Sequence, residues 1–69
     1  MENLIGERIK ELRNEKKLNQ KQLAEICNVK QSCVSKWERG ATQPTIDIII
    51  MLSKKFEVTS DYLLSLSDY

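Results

Sequence analysis

Residues 18–40, LNQKQLAEICNVKQSCVSKWERG, decide the fold. Asn19 carries the side chain of a helix N-cap, able to accept a backbone N–H from the turn that follows. Leu23, Ala24 and Cys27 then recur at helical spacing, and Ala24 is small enough to let a second helix cross closely. Asn28 falls where the chain must turn sharply, and Asn tolerates a left-handed backbone better than any residue except Gly. A second helix is predicted over 31–39, with Val29, Val34 and Trp37 inward and Gly40 as its stop. Its other face carries Gln31, Ser32, Ser35 and Lys36.

The flanks extend the helical pattern. Before the central stretch, Ile5, Ile9 and Leu12 stand at i, i+4 and i+7, one stripe of an amphipathic helix over about 3–16. Glu7, Glu11 and Glu15 alternate with Arg8, Lys10 and Lys17 on its wet faces. After a loop over 41–44, Thr45 is a second N-cap, and the run TIDIIIMLSKKF offers Ile46, Ile49, Ile50, Leu52 and Phe56 to a core. The β-branched triplet Ile48-Ile49-Ile50 admits a strand, but the length, the cap and the Ser-Lys-Lys tail favour a helix. Thr59 caps a last short helix over 60–66, held down by Tyr62, Leu63 and Leu64. Five helices with short connections predict a compact all-α fold, one domain over residues 1–69.

Composition narrows the chemistry. A chain of 69 residues buries only roughly 60% of its unfolded surface, which leaves little room for a catalytic cleft. It contains no histidine, the commonest general base and metal ligand. No nucleophile–base pair, phosphate loop or metal cluster is visible, so the reading is a non-enzyme with no catalytic residue, metal or cofactor. Cys27 and Cys33 do not form a zinc pattern and read as reduced, structural thiols, which favours the cytoplasm. No apolar run is long enough for a signal peptide or a membrane span, and no second domain for sensing is evident. The net charge is only +1, but residues 1–40 hold nine Lys/Arg against six Asp/Glu. Residues 41–69 hold two against four, so the basic excess sits in the half with the decisive stretch.

Two short helices around a tight turn, the second polar on its outer face, form a helix-turn-helix, whose second helix can enter the major groove of DNA. The chain moreover resembles helix-turn-helix proteins of the Cro and phage-repressor type, the lambda-repressor-like family, over nearly its full length. IGERIKELRNEKKLNQKQLAE is similar to that family's first two helices, VKQSCVSKWERG to its recognition helix, and FEVTSDYLL to its closing segment. The resemblance implies a five-helix DNA-binding domain with the motif at helices 2 and 3. Three departures stand out. Asn28 replaces the usual Gly, and Lys30 replaces the usual hydroxyl N-cap, losing about 1 kcal/mol of capping while gaining reach to phosphate. Glu57 replaces a frequent Gly, so a less tidy end to helix four is expected.

Base contacts are expected from Gln31, Ser32, Ser35 and Lys36. Gln31 pairs with adenine through N6 and N7, and Lys36 donates to guanine O6 or N7. The serines touch base edges or keep the surface small enough for close approach. Phosphate contacts are expected from Gln20 and Lys21 on the first turn of helix two, and from Lys30, Arg39, Thr42 and Gln43 around the recognition helix. The resemblance further implies that Gln20 braces Gln31, and that Arg13 and Glu38 form a salt bridge orienting the recognition helix. Cys33 lies at the margin of the contact face and reads as structural.

Relatives of this type bind double-stranded DNA as two-fold dimers on half-sites about one helical turn (~34 Å) apart. Ile48 and Met51 are expected off the core stripe of helix four, where with Leu66 and Tyr69 they form an apolar homodimer patch or else cover the last helix. The function expected is a transcriptional regulator, most simply a repressor. The rival is an antitoxin-like protein of the same fold that holds a protein partner, with an antirepressor or a toxin as the partner class.

Overall fold

The computed structural model describes residues 4–64. Five helices occur among these residues: α1 (Leu4–Glu15), α2 (Gln20–Cys27), α3 (Gln31–Arg39), α4 (Ile46–Phe56) and α5 (Ser60–Leu63). The expected α5 is therefore shortened, its helix ending at Leu63 and giving way to a turn at Leu64. Leu66 and Tyr69 lie outside the described residues.

Capping sets the starts. Asn19 Oδ1 accepts from the Gln22 backbone N–H at 2.7 Å while Gln22 Oε1 accepts from the Asn19 N–H at 2.8 Å, a reciprocal capping box at the head of α2. Thr45 Oγ1 accepts from the Ile48 N–H at 3.3 Å, and Thr59 Oγ1 from the Tyr62 N–H at 3.0 Å. Lys30 precedes α3 without a side-chain cap, as its chemistry dictates.

The helix ends share one device. At each, a left-handed residue lets the next N–H reach back to a carbonyl five residues earlier, satisfying otherwise orphaned acceptors. The left-handed residues are Lys17, Asn28, Gly40 and Glu57. The returning bonds run from Leu18 to Arg13 (3.0 Å), Val29 to Ala24 (3.0 Å), Ala41 to Lys36 (2.9 Å) and Val58 to Ser53 (3.1 Å). The end of α4 is thus closed like the others, contrary to the untidy end expected of Glu57. Glu57 adopts φ 56° and bears the steric cost that Gly would avoid.

The core is continuous. Ile9 and Leu12 of α1, Leu23, Ala24 and Cys27 of α2, Val34 and Trp37 of α3, Ile49 and Leu52 of α4 and Leu63 of α5 are buried together. α3 lies against both α1 and α2, so its inner face is sandwiched and its outer face is left to solvent. Arg8 links α1 to α5, its guanidinium 4.7 Å from the centre of the Tyr62 ring.

The orientation of α4 corrects the sequence reading. Ile46 and Ile50, offered to the core, are 65% and 41% exposed. Ile48 and Met51, expected off the core stripe, are half-buried and pack against it. The inner stripe is centred on Ile49 and Leu52, which turns Ile46 and Ile50 outward.

Candidate nucleic-acid interface

The outer face of α3 is built by exclusion. Val34 and Trp37 face the core, so Gln31, Ser32 and Lys36 are exposed and Ser35 half-exposed beside them. None of these four side chains is engaged in a hydrogen bond or ion pair among the described residues. Cys33 is half-buried against the core, away from this free polar set. Around α3, Lys21, Lys30, Arg39, Thr42 and Gln43 are exposed. The uncapped first turn of α3 adds free backbone N–H groups, at the positive end of the helix dipole, to this electropositive setting.

The posture of α3 is held from its far end. Arg13 Nε donates to Glu38 Oε2 at 2.7 Å and Arg13 Nη2 to Glu38 Oε1 at 3.1 Å, a two-pronged pair between α1 and α3. Its third nitrogen, Nη1, donates to the Leu18 carbonyl at 2.9 Å in the α1–α2 connection. Gln20 Nε2 donates to Glu38 Oε1 at 3.1 Å from the head of α2. Side chains from two helices, α1 and α2, thus converge on one carboxylate of α3. The Arg13 and Glu38 side chains are only 12% and 5% exposed. The hydrogen bond to Glu38 raises the Arg13 pKa from its ordinary value, against the opposing effect of burial and with the charge of Glu38 adding to it. The bracing of Gln31 expected from Gln20 is corrected here: Gln20 spans to Glu38 instead, because the amide at the head of α2 lies beside the last turn of α3.

Both cysteines are free thiols. Cys27 lies in the core, and burial pushes its pKa up to about 11. Among the described residues no group of His, Cys, Asp or Glu is arranged to hold a metal ion, and no helix is long and apolar enough to cross a membrane.

A family model described as Helix-turn-helix matches residues 9–63, most of this architecture. The chain belongs to the helix-turn-helix family, of the Cro and phage-repressor type. It is 44% identical over 61 residues to the HTH-type transcriptional activator BcrR of Enterococcus faecalis, covering 88% of this chain and 30% of that protein. Over 61 residues it is 38% identical to repressor protein C2 of Salmonella phage P22, covering 88% of this chain and 28% of that one. The chain therefore spans less than a third of the length of these two relatives. Among solved structures, the P22 c2 repressor protein in complex with synthetic operator 9T superimposes with a TM-score of 0.79 at 37% identity. That likeness covers 87% of this chain and 91% of the other.

As a helix-turn-helix domain, the chain is of the kind carried by DNA-binding transcriptional regulators, and its named relatives are regulators and not enzymes. Around α3 the sites named from sequence divide into two groups, with Lys21 apart from both on the first turn of α2. Gln31, Ser32, Ser35, Lys36, Lys30, Arg39, Thr42 and Gln43 belong to α3 or its immediate flanks, whereas Arg13, Gln20 and Glu38 form the bracket behind it. Sequence reasoning missed the joining of Gln20 to that bracket. The signal was indirect: an amide at the first position of α2, with no partner at helical spacing.

Proposed function

We propose that this chain is a sequence-specific DNA-binding regulator, a repressor that occupies a palindromic operator as a homodimer with α3 in the major groove. The observation that carries the reading is the two-sidedness of α3. One face is locked into the core through Val34 and Trp37, and the other presents Gln31, Ser32, Ser35 and Lys36 with no intramolecular engagement among the described residues. A rigid helix bearing free amide, hydroxyl and ammonium groups suits hydrogen bonding to base edges. Gln31 reads adenine and Lys36 reads guanine, while Lys21, Lys30, Arg39, Thr42 and Gln43 hold the backbone on either side. Gln20 reaches phosphate through its backbone N–H at the head of α2, its side chain being given to Glu38. The Arg13–Glu38 pair sets the angle at which α3 enters the groove. Its free thiols accord with action in the cytoplasm.

Selection from a random duplex library tests this reading. A palindromic motif, bound far more tightly than random DNA, is the expected product. A second reading, an antitoxin-like protein that holds a protein partner, draws on the exposed Ile46 and Ile50 of α4. It gains if no motif is enriched and a defined protein co-purifies in stoichiometric amount.

A further inference from the structure

The outward face of α4 is its own complement. Asp47, Ile50, Met51 and Lys54 recur at i, i+3, i+4 and i+7, the spacing of a helix-packing seam. Ile50 is 41% exposed at its middle, Met51 is half-exposed beside it, and Ile46 flanks it at 65%. Asp47 and Lys54 are exposed at opposite ends of the seam. Along one helix they stand about 10 Å apart, too far to pair with each other. Neither has an ion-pair partner among the described residues.

We propose that two copies of this chain pair through this face, α4 against α4 in antiparallel array, about a two-fold axis between Ile50 and Met51. Each Asp47 then meets the Lys54 of the other copy, each Ile50 meets the other Met51, and each Ile46 lies along the methylene stem of the other Lys55. Reversing the direction of one helix exchanges its acidic and basic ends, which is why the partner that matches this seam is the seam itself. A parallel array would set Asp47 against Asp47 and Lys54 against Lys54. Antiparallel helices also set opposite dipole ends side by side. An isologous contact of this kind closes at two copies and forms no chain. The proposal rests on the homodimer reading above and assigns its surface. A single helix pair buries less than the roughly 800 Å² per partner of a standard interface, so the association is weak in free solution and is measured at high concentration.

The test is sedimentation of the full chain across a concentration series, with Asp47→Lys and Lys54→Asp made separately. Each variant alone faces like against like at both ends of the seam, and its dimer dissociation constant rises by about tenfold or more. Mixed in equal amounts, the two variants restore association, because every facing pair in the mixed dimer is again opposite in charge. A fold defect in one variant cannot produce that rescue. Should a charge reversal unfold the domain, Ile50→Lys at the exposed centre of the seam is expected to abolish association while leaving the thermal melt in place. Wild-type association untouched by all three variants overturns this face and leaves a homodimer through another surface. A wild type that stays monomeric at every concentration, and on a palindromic duplex as well, overturns the face and the homodimer together.

Discussion

Arg13 in α1 grips both carboxylate oxygens of Glu38 in α3, at 2.7 and 3.1 Å, although the two lie 25 residues apart in sequence. The pair is almost out of water, so its meaning differs from that of a surface salt bridge. Removing Arg13 takes the cationic partner from a nearly buried carboxylate that still accepts from Gln20 Nε2, and removing Glu38 takes the anionic partner from a guanidinium. Arg13→Met is expected to destabilise the domain by about 3 kcal/mol, read from urea unfolding. The double variant Arg13→Met with Glu38→Leu is expected to lose less than Arg13→Met alone, since no charge is then left unpaired. If Arg13→Met lowered DNA affinity with stability unchanged, Arg13 would be a DNA contact and not part of the bracket.

Cys27 makes stability depend on alkaline pH. The fold favours the neutral thiol, whose pKa stands at about 11 against an ordinary 9.0. Well below pH 9 the thiol is protonated in both the folded and unfolded states and contributes no slope. Between about 9 and 11 the unfolded chain releases this proton and the folded chain keeps it, so stability falls by up to about 2 kcal/mol. Cys27→Ala is less stable at neutral pH because of the cavity it leaves, but this part of the alkaline slope disappears. Urea midpoints at pH 8, 9, 10 and 11 for both proteins check the prediction. Under native conditions a thiol reagent is expected to label the half-exposed Cys33 well before the buried Cys27.

The left-handed positions at the helix ends respond in opposite directions to substitution. Glu57 adopts φ 56° with a side chain that crowds its own carbonyl. Glu57→Gly is expected to raise stability by about 0.5–1 kcal/mol, the relief of strain outweighing the added freedom of the unfolded chain. Gly40→Ala, at φ 78°, is expected to lower it by about 1–2 kcal/mol and to blur the end of α3. Thermal melts monitored by circular dichroism distinguish the two signs.

Positioning and reading separate by salt. Lys30→Ala and Arg39→Ala are expected to weaken binding to all duplexes by a similar factor, and each reduces the slope of log affinity against log salt by about 1. Titrations of matched and random duplexes between low and moderate salt provide the check.

Much of this molecule is legible from local sequence because local chemistry decides it. The bounds of α3, the caps at Asn19, Thr45 and Thr59, and the turns at Asn28 and Gly40 each depend on residues within one helical turn. The rotation of α4 does not. Its apolar residues, Ile46 and then Ile48 through Leu52, occupy every face, so more than one stripe satisfies the helical period and only the neighbouring helices choose between them. Lys17 escapes notice as a left-handed residue and Glu57 is marked only by the Gly it replaces in the family pattern, because neither residue type signals that conformation; the closing bonds to Arg13 and Ser53 hold them in it. The contacts of Gln20 with Glu38 and of Arg8 with Tyr62 join residues that no periodicity connects. The pairing of Arg13 with Glu38 was readable only through resemblance, for the same reason.

The central claim is that Gln31 on the free face of α3 reads a base. The decisive measurement is the affinity of wild type and Gln31→Ala for the selected duplex and for each of its single-base substitutions, at fixed salt. Wild type is expected to lose about 1–3 kcal/mol when an adenine in each half-site is replaced, and Gln31→Ala to be indifferent at that position while keeping its other preferences. If Gln31→Ala retained the full wild-type preference at every position, α3 would not be reading DNA through this face.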